Sequence, residues 1–146
     1  MKDRALTTAK ISKAGIDRIL AFIPFFERSD SYFGKAPELE DTQDGGFSIS
    51  DPVYSKTAWS FVEACYEESF VQPFNWIRWG GRHQDDLRSD SYIGKANLLT
   101  IIRMLTTHIR ADRFVSVGHL LSVMEDGTIL KILKRLEEIN SESERL

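Results

Sequence analysis

The sequence predicts an all-α protein, an irregular bundle of about five helices with little or no sheet. Three observations carry that expectation. Apolar residues recur at helical spacing in several separate stretches, cap and stop residues bracket those stretches, and strict polar–apolar alternation is almost absent. With 146 residues, the chain has the length of one domain and can bury a core without disulfides or metal. A single helical domain over 1–146 is expected, with 140–146 as a polar tail that frays.

Each element has its own signal. Ile16, Ile19, Leu20 and Ile23 predict a first helix, capped by Thr8 or Ser12. Pro24 disfavours helical geometry at Ile23, so that helix ends or kinks there, and Phe25 and Phe26 pack beyond it. Residues 29–50 read as a long polar loop with a turn at Gly45-Gly46; Phe47 and Ile49 permit at most a very short strand. Asp51-Pro52 predicts the next helix start, with Asp at the cap and Pro at the first position. Its stripe is Tyr54, Ala58, Phe61, Val62 and Cys65, flanked by Trp59 and Tyr66. Trp76 and Trp79 share one turn that Gly80-Gly81 ends, and 82–95 is irregular. Asn97 caps a helix carrying Leu98, Ile101, Ile102, Leu105 and Ile109. Ser116 caps a short one with Leu120, Leu121 and Met124, which Asp126-Gly127 stops. Thr128 caps the last, with Ile129, Ile132, Leu133, Leu136 and Ile139.

Composition narrows the function classes. The one cysteine, Cys65, precludes an intrachain disulfide and fits a cytoplasmic location; in its apolar stripe it reads as a small hydrophobe rather than a nucleophile. No stretch reaches the ~20 apolar residues of a membrane span, and the run Ile19–Phe26 follows Asp17-Arg18, so neither a membrane segment nor a signal peptide is expected. A net charge of −3 disfavours nucleic acid. Residues 119–136 have the outline of a helix–turn–helix, but Ile129, Leu130 and Ile132 stand where base reading needs polar side chains. Charge is uneven: six Lys and Arg meet three Asp and Glu in 1–28, against two and nine in 29–70. The two regions either neutralise each other within the fold or leave an acidic face for a basic partner.

The richest polar run is Thr106 to Phe114. His108 and Asp112 stand at i, i+4 and share a helical face, where a half-buried His bonded to Asp is the simplest structure. Arg110 and Arg113 complement the helix C-terminus. An alternative is a small-anion site or enzyme centre built from His108, Arg110, Asp112, Arg113 and His119 at the start of the helix after Ser116, walled by Trp76 and Trp79. No metal set, catalytic motif or cofactor motif is present, so no cofactor is implied and no catalytic residue is assigned. The leading expectation is a small cytoplasmic binding or interaction module without catalytic activity. Its aromatic residues suit a homodimer or another protein partner.

Phe61 to Ala64, Phe74 to Trp79, Leu105 to Phe114 and Gly118 to Leu136 together resemble, in order, an uncharacterised family of small bacterial and phage-borne proteins. The resemblance covers roughly 59–139. It implies a mainly helical bacterial domain and transfers no catalytic residues, because the family carries no assigned activity.

One feature stands apart. Arg28–Ala36 reads RSDSYFGKA and Arg88–Ala96 reads RSDSYIGKA. The flanking sequences differ, which argues against a duplicated fold unit. Ser-Asp-Ser favours side-chain-to-backbone turns, Gly permits a positive φ, and a helix-start residue follows each copy, Pro37 and Asn97. Two similar loop-to-helix turns are expected.

Overall fold

A computed structural model describes residues 6–49, 52–114 and 117–144; the side chains of Glu40, Ile49, Arg113, Phe114 and Glu144 lie outside that description. Helix α1 (Lys13–Leu20) starts where the Ser12 hydroxyl accepts from the Gly15 amide at 2.9 Å. The chain breaks at Ala21-Phe22, and α2 (Ile23–Glu27) begins with Pro24 inside its first turn, where a missing N–H costs nothing. Phe25 and Phe26 therefore sit on a second short helix, and Phe26 meets Phe61 edge-on at 5.0 Å between ring centroids.

The stretch expected to be a loop is partly paired. β1 (Gly34–Lys35) and β4 (Val53–Tyr54) form one antiparallel pair; β2 (Leu39–Asp41) and β3 (Phe47–Ile49) form a hairpin in the register Leu39 to Ile49 and Asp41 to Phe47. Its turn runs through Gly45, at φ +87°, with the Thr42 amide bonded to the Gly46 carbonyl. The protein is thus mostly helical, with two small two-stranded sheets where little or no sheet was expected.

The next helix, α3 (Lys56–Glu67), starts at Ser55, whose hydroxyl accepts from Ala58 N; it does not start at Asp51-Pro52. Val53 and Tyr54 favour extended backbone and find partners in Lys35 and Gly34, so the helix yields two residues to a strand. Tyr54 consequently leaves the helical stripe, while Ala58, Phe61, Val62 and Cys65 remain buried. Asn75 caps α4 (Trp76–Arg82), which runs through Gly80-Gly81 instead of ending there. A Cβ on Gly80 would stand 2.9 Å from Thr107 Cγ2, so the glycine lets α4 lie closely against the central helix. Residues 82–95 also contain a helix, α5 (Asp90–Gly94), capped by Ser89.

Helix α6 (Leu98–Phe114) starts at Asn97, whose side chain accepts from the Thr100 amide at 2.8 Å. Ile101, Ile102 and Met104–Ile109 are all buried, so most of its circumference lies inside the protein. α7 (His119–Glu125) and α8 (Thr128–Glu144) follow, joined through Gly127 at φ +88°. Asp126, not Thr128, supplies the side-chain cap of α8, accepting from Thr128 N at 2.9 Å. The Ser116 cap expectation falls outside the described residues. α8 buries Ile129, Ile132, Leu133 and Leu136 against α1, α2, α5, α6 and α7. Eight helical segments are present among the described residues, against about five expected; the additions are the short α2, α4 and α5.

Candidate functional site

A cleft of about 320 Å³ opens where β4, α3 and the end of α6 meet. α3 contributes Trp59, Val62 and Tyr66, whose spacing places them along one helical face. Pro52 and Tyr54 close one side, Ile109, Arg110 and Asp112 come from α6, and Val117 and Leu120 lead into α7. Val62, Ile109 and Leu120 are buried and form an apolar floor. Trp59 and Tyr66 are about half exposed, at 49% and 47%, and stand at the rim.

Asp112 ties the cleft together. Its Oδ1 accepts from the Tyr54 hydroxyl at 2.7 Å and from the Leu120 amide at 3.0 Å. One carboxylate thus fixes Tyr54 across the cleft and satisfies an amide in the first turn of α7. Burial, then the Asp112 carboxylate, push the Tyr54 phenol far above its ordinary value, so it remains a neutral donor.

The sequence placed Asp112 against His108. The structure places His108 against His119 instead, with Nδ1 of the first 2.9 Å from Nε2 of the second and the rings stacked at 5.2 Å. Burial first, then the neighbouring His119, push His108 down to about 3; Leu87 and Asp126 act the other way without offsetting burial. His119 is lowered too, by burial and then Arg88, against Asp112 and Asp126. Both rings are neutral at pH 7 and one donates to the other. The amide expected to greet an external anion at this helix start is taken by Asp112.

Of the sequence-selected residues, Arg110 and Asp112 line the cleft, and His108 and His119 form the adjoining buried pair. Trp76 and Trp79 do not line it. They stand on α4, where Trp76 is buried and Trp79 meets Phe74 edge-on at 6.2 Å and the tilted ring of His83 at 4.5 Å. The Arg113 side chain lies outside the described residues. The aromatic walls are Tyr54, Trp59 and Tyr66. Trp59 and Tyr66 had shown themselves only as flanks of the α3 stripe, seven residues and two helical turns apart. A second hollow, between α5 and α8, is lined by Lys131, Lys134 and Arg135, each already paired: with Asp90 at 2.6 Å, Glu27 at 3.1 Å and Glu138 at 3.0 Å.

A family model described as a family of unknown function, DUF6508, matches residues 11–142. The chain belongs to that family. Neither a curated protein nor a solved structure matches it. The match to DUF6508 runs from before α1 to residue 142 within α8, so both the cleft and the histidine pair lie within the family's extent. No helix among the described residues of this DUF6508 member is long and apolar enough to cross a membrane.

Proposed function

We propose that the protein is a non-catalytic binding module for a small molecule, and that the cleft between β4, α3 and α6 is its site. The observation that carries this reading is the convergence of Tyr54, Arg110 and Asp112 on a hollow otherwise walled by Trp59, Val62, Tyr66, Ile109 and Leu120. A few placed polar groups on an apolar, aromatic lining are the usual make-up of a ligand site. The residues that do chemistry elsewhere support binding over catalysis. The Cys65 thiol is buried and pushed far up by desolvation, and His108 is neutral with no exposed surface. A buried, lone cysteine also fits a reducing compartment such as the cytoplasm.

Amide-resolved NMR against a set of small aromatic and alkyl carboxylates and amines tests the reading. Binding should perturb Tyr54, Trp59, Tyr66, Arg110 and Leu120, and Trp59→Ala should abolish it. Shifts confined to α4, or none at all, would overturn it.

A second reading, an interaction module, draws on the β2–β3 hairpin, where Leu39 and Phe47 are each 69% exposed. A two-stranded hairpin bearing large apolar side chains is a ready contact surface for a homodimer or another protein. Analytical ultracentrifugation comparing the wild type with Leu39→Ser/Phe47→Ser checks it. A monomer at all concentrations in both would remove the homodimer.

A further inference from the structure

The β2–β3 hairpin combines exposed apolar side chains, an acidic strand and an open edge. From these we infer that the outer edge of β2 docks a basic, extended segment of a partner protein, which adds to the hairpin as a third strand; this rests on the hairpin being a contact surface.

The register fixes what each side offers. Leu39 lies opposite Ile49 and Asp41 opposite Phe47, so these four share one face, and Glu40 and Ser48 take the other. Leu39 and Phe47 are exposed diagonal neighbours on their face. The Thr42 amide bonds to the Gly46 carbonyl, and bonded pairs alternate along an antiparallel ladder. The backbone groups of Leu39 and Asp41 therefore point away from β3. Among the described residues β2 has no second neighbour, so those groups form an open edge. A lone two-stranded hairpin is marginal in water, and a third strand stabilises it.

Charge selects the occupant. Residues 39–49 hold Glu40, Asp41 and Asp44 and no Lys or Arg. Two copies meeting edge to edge would bring those like charges together. Among the cations a second copy would bring, Arg18, Arg28, Arg88, Lys131, Lys134 and Arg135 each already pair with a carboxylate. Nucleic acid and anionic lipid surfaces carry the wrong sign. A strand beside β2 sets one residue opposite Leu39, the next opposite Glu40 and the one after opposite Asp41. The matching triplet is one apolar residue and then two of Lys or Arg, read in either chain direction.

Selection of a random decapeptide library on the full chain, followed by NMR titration of the selected peptides, tests this. The peptides should share an apolar residue beside two Lys or Arg, shift the Leu39 and Asp41 amides, and bind more weakly as salt is raised. Glu40→Lys/Asp41→Lys should weaken them about tenfold, and selection on that variant should return acidic peptides instead. If the double change unfolds the hairpin, Asp41→Lys alone serves, since Asp41 is exposed, with a weakening of about threefold. Neutral or acidic peptides that shift the same amides overturn the basic partner and leave the hairpin as a contact surface. Basic peptides that shift only residues elsewhere overturn the docking edge. A dimer that Leu39→Ser/Phe47→Ser dissolves, with no peptide on the β2 edge, makes a second copy the occupant and overturns the inference alone. If no peptide reaches the hairpin and the chain stays monomeric, the contact-surface reading fails with it.

Discussion

Arg28–Ala36 and Arg88–Ala96 are the same nine residues apart from Phe33 and Ile93, and they fold differently. In the first copy Arg28 ends α2, the chain turns, and Gly34-Lys35 pairs with Val53-Tyr54. In the second, Ser89 caps α5, Asp90–Gly94 are helical, and Lys95 closes the helix. The expectation of two similar loop-to-helix turns is therefore wrong. Asn97 does open α6, whereas Pro37 precedes a strand. The difference lies in what each anchor meets. Phe33 stacks on Phe26 at 5.7 Å and meets Phe25 edge-on at 5.3 Å, which draws the first copy along the phenylalanine cluster. Ile93 is 2% exposed in the core cluster, on a helix packed against α8. Identical local chemistry permits both conformations, and tertiary contacts choose between them.

Substitution at the anchors probes this contrast hardest. Ile93→Ala should cost about 3 kcal/mol, as truncation of a buried aliphatic side chain does. Phe33→Ala should cost less, about 1–2 kcal/mol, because Phe33 is only partly buried. Denaturant midpoints decide; the reverse order would mean that the first copy, not the second, is rooted in the core.

The paired glycines come next. Gly34 has φ +155°, and a Cβ there would stand 2.4 Å from the Val53 carbonyl oxygen. Gly34→Ala should cost about 2 kcal/mol, a loss limited by how readily the small β1–β4 pair opens by itself. Gly94 is helical with open space around its Cβ position, so Gly94→Ala should be neutral or stabilise by up to about 1 kcal/mol. Equal effects at both sites, read by thermal melting, would contradict the two backbones.

The arginines differ in the same sense. Arg28 pairs with Asp30 in full solvent, whereas Arg88 pairs with Asp126 at 2.8 Å and acts on the histidine pair. His108 and His119 have lowered values when folded, so below pH 6.5 the unfolded chain binds more protons and stability falls. The loss runs from about pH 6.5 down towards about 3, and His108 alone accounts for roughly 2 kcal/mol between pH 7 and 5. Urea unfolding across pH should show that slope, reduced in His108→Gln. Arg88→Ala should soften it by removing a repelling charge, and Arg28→Ala should leave it unchanged.

The smallest effect is at the caps. Ser89→Ala should cost about 1 kcal/mol, because its hydroxyl accepts from the Tyr92 amide. Ser29 is exposed on a turn, and Ser29→Ala should change stability by less than about 0.5 kcal/mol.

Much of the helical frame was legible before any coordinates. The stripes of α6 and α8, the caps Ser12 and Asn97, and the stop at Gly127 are local signals, and the structure follows them. What the local signals missed depends on residues far apart in the chain. Val53 and Tyr54 leave α3 because Gly34 and Lys35, some twenty residues earlier, offer strand partners. α4 continues through two glycines because Thr107 leaves space for Gly80 and not for a larger residue. The cleft shows the same division. Arg110 and Asp112 stood out in sequence as a polar run, but their aromatic neighbours were assigned to the wrong tryptophans. α4 meets α6 at Thr107, whereas Trp59 is brought to the cleft by α3, which ends 50 residues before Val117.

The carboxylate of Asp112 has one more consequence. Because a single oxygen holds both the Tyr54 hydroxyl and the Leu120 amide, whatever tightens the cleft also tightens the first turn of α7. The Leu120 amide thereby becomes a built-in gauge. Its hydrogen-exchange rate should slow when the cleft is occupied and quicken in Tyr54→Phe, reporting occupancy through the first turn of α7.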